Sequence, residues 1–155
     1  MADWAATKRL NARVVLAEGL TLQGELHLQP RVAYHDGPEL PVEMLNRPER
    51  FFVLSLAKGG VVFVSKTQVA LVAYSAAAAA PPLDRERSTA CRTLKFEVMI
   101  VGGVEYKGQV QTELPPDHSR PLDYLNAPED FFTLVTDKNT LCLNRRHVRA
   151  VRPLS

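Results

Sequence analysis

The side chains that could do chemistry are few and scattered. Four histidines occur, His27, His35, His118 and His147, and none stands in a His-x-His or His-x-x-x-His pair. General acid–base work needs a nucleophile, a base and an orienting group brought together, and no spacing here suggests such a set. His35 and His118 stand beside Asp36 and Asp117. One imidazole and one carboxylate per loop are too few to hold a metal ion, so solvated loops explain them. The two cysteines, Cys91 and Cys142, form no Cys-x-x-Cys, which argues against a zinc cluster or a redox pair. Cys142, between Leu141 and Leu143, reads as a small buried hydrophobe. There is no Gly-x-x-x-x-Gly-Lys phosphate loop, no Gly-x-Gly-x-x-Gly fingerprint and no Gly-x-Ser-x-Gly elbow. The expectation is a protein that is not an enzyme, with no catalytic residue, no cofactor and no metal site.

Two groups of side chains remain that could bind something. Arg145, Arg146, His147, Arg149 and Arg152 make the one basic cluster. It could contact the phosphates of a nucleic acid. A solvated face partly paired with nearby acids is the plainer expectation. The corresponding place in the first half offers only Lys66. The second group is the adjacent aromatics Phe51-Phe52 and Phe131-Phe132. In a strand one of each pair points inward and the other outward. The outward ring could cover a contact between the two halves, an oligomer contact or a protein partner. Phe51, Phe52, Phe131 and Phe132 are therefore the candidate partner-binding residues.

Composition narrows the class. The 155 residues are 46% hydrophobic and 23% charged, which suits an ordinary globular protein. Net charge is +2, with eight basic against seven acidic residues up to Ala80 and eleven against ten after it. The basic excess of many phosphate-gripping proteins is missing from both halves. Residues Met1 to Asn11 lack the apolar core of a signal peptide, and no stretch approaches the length of a membrane span. The expectation is a soluble, cytoplasmic chain without a membrane partner.

The elements that must position these residues come in two copies. Leu45-Asn46-Arg47-Pro48-Glu49-Arg50-Phe51-Phe52-Val53-Leu54 matches Leu125-Asn126-Ala127-Pro128-Glu129-Asp130-Phe131-Phe132-Thr133-Leu134 at seven of ten positions. Pro41 matches Pro121 in the same register. Upstream, Gly19 and Gly24 match Gly103 and Gly108, and Val14 and Leu16 match Val98 and Ile100. Downstream, Val62, Val64, Val69 and Val72 match Leu141, Leu143, Val148 and Val151. An internal repeat of this kind decides how the whole chain is read.

Each copy reads as five short strands. Leu94, Phe96, Val98 and Ile100 alternate with polar neighbours, and Gly102-Gly103 is a hairpin signal. A second alternating strand follows. Gly24 and Gly108 fall where that alternation calls for an inward side chain, which marks a bulge, a bend or a close backbone approach. One helical turn is expected over Pro41 to Asn46 and over Pro121 to Asn126. Strands follow at Phe51 to Leu56, Val61 to Val64 and Val69 to Tyr74. Their partners are Phe131 to Val135, Leu141 to Leu143 and Val148 to Val151. Asp3 to Leu10 is expected to form a short helix anchored by Trp4. The predicted architecture is all-β, with two tandem five-stranded, strongly bent small barrels. Residues 1–74 form the first repeat, 75–92 an Ala/Pro-rich linker and 93–155 the second repeat.

This order of strands resembles the Sm-like, or SH3-like, small barrel. Glu43-Met44-Leu45-Asn46 and Asp123-Tyr124-Leu125-Asn126 stand near that family's Asp-x-x-Met-Asn segment. Ser65-Lys66-Thr67-Gln68-Val69 and Asn144-Arg145-Arg146-His147-Val148 stand near its Arg-Gly corner, though neither carries the Arg-Gly pair. The segment Arg120 to Asn126 with Phe131-Phe132 also looks like a unit of uncharacterised bacterial proteins. The resemblance implies RNA binding through these two loops, and nominates Asn46, Lys66, Asn126 and Arg145. The basic cluster adds Arg146 and Arg149.

Three functions are weighed on these grounds. The leading one is a non-enzymatic interaction or scaffold module that binds a protein partner, with a second copy of the chain among the candidates. The alternative is an Sm-like nucleic-acid binder. The weakest is a small-ligand or nucleotide receptor in a cleft between the copies.

Overall fold

The computed structural model describes residues 8–30, 37–75, 92–112 and 120–154. The expected linker, Trp4, Cys91 and the His35 and His118 loops lie outside the described residues, apart from Ser75 and Arg92 at the linker's ends. Among the described residues, ten strands form the framework. The first half holds β1 (Lys8–Leu16), β2 (Thr21–Leu28), β3 (Phe51–Leu56), β4 (Val61–Ser65) and β5 (Val69–Tyr74). The second holds β6 (Arg92–Ile100), β7 (Glu105–Thr112), β8 (Phe131–Val135), β9 (Thr140–Asn144) and β10 (Val148–Leu154). Two short helices, α1 (Pro41–Asn46) and α2 (Pro121–Leu125), precede β3 and β8. Lys8 to Leu10 already belong to β1, so the helix expected over Asp3 to Leu10 does not reach that far. Arg92 opens β6 rather than closing a linker.

Local chemistry explains these elements. Both residues of the Gly102-Gly103 turn have positive φ, at 90° and 84°, a backbone region closed to most side chains. Pro41 and Pro121 open the two helices, where a missing amide hydrogen costs nothing. The Glu43 carboxylate accepts a bond of 2.7 Å from the Leu40 amide and closes the first turn of α1. In β2 and β7, Gly24 and Gly108 lie where a methyl group would strike the carbonyl oxygen of Ser55 or Val135 on the neighbouring strand. These two glycines permit the close approach of β2 to β3 and of β7 to β8.

All ten strands join one antiparallel sheet, in the order β10-β6-β7-β8-β9-β5-β1-β2-β3-β4. Each half contributes its strands in the same internal order, fifth-first-second-third-fourth. The halves meet where β5 pairs with β9, setting Leu71 opposite Leu143, Val72 opposite Cys142, Ala73 opposite Leu141 and Tyr74 opposite Thr140. Two hydrophobic clusters form, one per half, and the junction strands serve both. Val69, Val72 and Tyr74 of β5 enter the first cluster together with Phe131 and Cys142 from the second half. Ala70, Leu71 and Ala73 enter the second, beside Leu141 and Leu143. Every residue of β5 is consequently buried. Its unbroken apolar run suits a strand covered on both faces.

Candidate interaction surface

Alternation along β3 turns Phe52 and Leu54 into the first core and Phe51 out. Phe51 pairs with Ser65, Val53 with Phe63 and Ser55 with Val61, so all six residues share one face of the hairpin. On that face Phe51 is 57% exposed, Phe63 60% and Val61 47%. Among the described strands, β4, which carries two of them, has a neighbour on one side only. The end of the described sheet and an exposed apolar face therefore coincide, a combination that natural sheet proteins generally avoid.

The second half shows the same hairpin covered. Here Phe131 pairs with Asn144 and Thr133 with Cys142, and the counterparts of Phe51, Phe63 and Val61 are Phe131, Cys142 and Thr140. These are 2%, 0% and 7% exposed. The inside–outside division expected for adjacent aromatics holds for Phe51 and Phe52. In the second pair Phe132 enters its own half's core and Phe131, on the opposite face, packs on the first core across the junction, so both are buried.

Polar groups fasten this junction as well. The Asn46 side chain donates to the Phe131 carbonyl at 3.0 Å and accepts from the Phe131 amide at 2.8 Å. The buried Asn144 amide donates to the Val69 carbonyl at 2.9 Å, and its oxygen accepts from the Arg146 amide. His147 Nε2 lies 2.7 Å from the Thr67 carbonyl oxygen. Burial raises the Cys142 thiol to about 12, so it stays protonated and acts as an apolar filler.

The basic candidates are used differently in the two halves. Lys66 is buried, and its ammonium donates to the carbonyls of Met44 at 2.9 Å and Arg47 at 3.1 Å. It thereby caps the carbonyl end of α1, adding to the bond that Met44 already accepts from the Arg47 amide. Arg145 occupies the corresponding place, donating to the carbonyls of Tyr124 at 2.9 Å, Leu125 at 3.1 Å and Glu129 at 2.7 Å. Its guanidinium also lies over the Tyr124 and Phe132 rings, at 5.4 and 4.9 Å from their centres. Burial lowers the pKa of both groups, opposed for Lys66 chiefly by Glu49 and for Arg145 by Tyr124, Glu129 and Asp130. Arg146 and Arg149 are exposed, with Arg146 3.6 Å from Asp130. Asn126 is exposed, as is Asn46, but no described strand lies beside it to take its hydrogen bonds.

Two features at the site carry no signal in the repeat comparison. One is Glu39, buried ahead of α1, 3.1 Å from Arg47 and accepting from the Gln29 amide. Desolvation raises its pKa, against the pull of that amide and of Arg47. The other is the exposed pair Val61 and Phe63, whose counterparts Thr140 and Cys142 gave no reason to expect apolar surface. Among the described residues, no three His, Cys, Asp or Glu side chains cluster tightly enough to hold a metal ion. No described helix is long and apolar enough to cross a membrane. No family model, curated protein or solved structure matches the chain.

Proposed function

We propose that this chain is a non-enzymatic protein-interaction module, built from two small Sm-like barrels, that binds its partner along the β3–β4 edge. The observation that carries the reading is the exposed apolar face of Phe51, Val61 and Phe63 on the hairpin that ends the described sheet. Such an edge takes a partner by strand addition, with backbone bonds giving affinity and side chains giving specificity. The repeated strand order and the hydrophobic cluster centred in each half support the two-barrel description. Protein binding is favoured over nucleic-acid binding because Lys66 and Arg145 already spend their donors on helix carbonyls.

Photo-cross-linking in cells tests this. A photoreactive residue in place of Phe63 is expected to form a discrete protein adduct that Phe51→Ser abolishes. The same residue in place of Glu105, at the exposed β6–β7 hairpin, is expected to form none. Failure of position 63 to capture any protein would remove the proposal.

A further inference from the structure

The internal junction carries instructions for an external one. Its donor side is the β8–β9 hairpin, and its acceptor side is β5 with α1. Each has a counterpart at an end of the described sheet: the β3–β4 hairpin at one end, and β10, with α2 in its half, at the other. The equivalence is residue by residue. Leu16 pairs with Val69, Val15 with Leu71, Val14 with Val72 and Arg13 with Ala73. Ile100 pairs with Val148, Met99 with Ala150, Val98 with Val151 and Glu97 with Arg152 in the same pattern, irregularity included.

From these observations we propose that a second copy of this chain docks its β3–β4 hairpin on β10, repeating the β5–β9 junction head to tail. The proposal rests on the protein-binding reading above and names the partner. Transferring the junction's register sets Ala150 opposite Val64, Val151 opposite Phe63, Arg152 opposite Val62 and Pro153 opposite Val61. The exposed residues Phe51, Phe63 and Val61 are then the ones whose counterparts the internal junction buries. Asn126 comes to the place of Asn46, facing the Phe51 backbone of the incoming copy as Asn46 faces Phe131.

Side-chain volumes fit the same arrangement. At the internal junction the large Tyr74 stands near the small Cys142. At the external one the sizes exchange, with Pro153 in place of Tyr74 and Phe63 in place of Cys142. The external contact is also the weaker of the two. Arg149 and Arg152 replace Ala70 and Ala73, and Pro153 has no amide hydrogen to give. Charge and proline on an edge strand restrain pairing without forbidding it. A heterologous contact of this kind propagates from copy to copy until it closes into a ring or continues as a filament.

Sedimentation of the purified full chain, with two variants at exposed positions, tests the geometry. Wild-type protein is expected to associate reversibly as its concentration rises to about 100 μM, the range of a weak contact. Phe63→Glu blocks the hairpin and Ala150→Asp blocks β10, so each variant alone is expected to be monomeric. Mixed together, they retain one intact β3–β4 hairpin and one intact β10, and are expected to form a heterodimer of twice the monomer mass. Phe63→Ser serves as a second hairpin variant should the glutamate disturb folding, read by circular dichroism. A monomeric wild type, or a mixture that stays monomeric, overturns the proposal. If the wild type is monomeric but position 63 cross-links to a different protein in cells, the self-docking fails and the protein-binding reading stands.

Discussion

Lys66 and Arg145 show how one structural need is met by different side chains. Each helix ends in carbonyls that the helix itself does not fully satisfy, and a cation from the following turn reaches back to them. A buried acceptor without a donor costs about 1–3 kcal/mol. Arg145→Ala strips donors from several carbonyls and a cation from two rings, so a loss of roughly 3 kcal/mol is expected in chemical denaturation. Arg145→Lys should recover part of it, since Lys66 does the same work in the first half. Cys142 gives a second test at this scale. Its thiol is buried and held protonated at ordinary pH, with a pKa pushed up to about 12. Alkylation followed by site-resolved mass spectrometry should therefore leave Cys142 unmodified in native protein and label it in denaturant. Labelling of Cys142 at the rate of a free thiol would contradict its place inside the junction.

At the scale of elements, Gly24 and Gly108 are the positions where a single atom matters most. A Cβ at Gly108 would meet the Val135 carbonyl and the Leu134 side chain, and backbone cannot step aside as a side-chain tip can. Gly108→Ala is expected to cost about 2 kcal/mol or more by overpacking, read as a lower denaturation midpoint. An Ala at the exposed Gly19 meets no neighbouring atom, and its cost there is confined to the strain of a positive φ. The close approach at Gly24 and Gly108 was legible because glycine interrupted a regular alternation twice, at equivalent places. The repeat, the helical turns opened by Pro41 and Pro121, and most strands were legible for the same reason: each depends on neighbours in sequence. The pairing of β5 with β9 was not. It joins residues about 70 positions apart through backbone groups that every residue type carries. Its one trace in the sequence was the failure of alternation in Val69 to Tyr74. The uses of Lys66 and Arg145 were hidden similarly, because helix-end carbonyls leave no mark on composition.

For the whole molecule, the decisive fact is that neither core is complete within its own half. Phe131 and Cys142 fill the first cluster from the second half, while Ala70, Leu71 and Ala73 fill the second from the first. Separating the halves would expose all of these together with one open edge on each side. Opening one half therefore removes surface that the other needs, which makes the pair a single cooperative unit. Calorimetry should show one transition whose measured enthalpy equals its van't Hoff enthalpy. Two independent barrels would give a measured value well above the van't Hoff one. Native-state hydrogen exchange gives the same comparison locally. The amides of Val14 in β1 and Val98 in β6, each at the centre of its own half, should open with equal free energies. Ala73→Asp sharpens the test, because it buries an unpaired charge opposite Leu141 at the seam. An uncompensated buried charge costs about 3–5 kcal/mol. That loss should appear equally at Val14 and Val98, and a loss confined to one of them would mean that the shared strands do not couple the two cores.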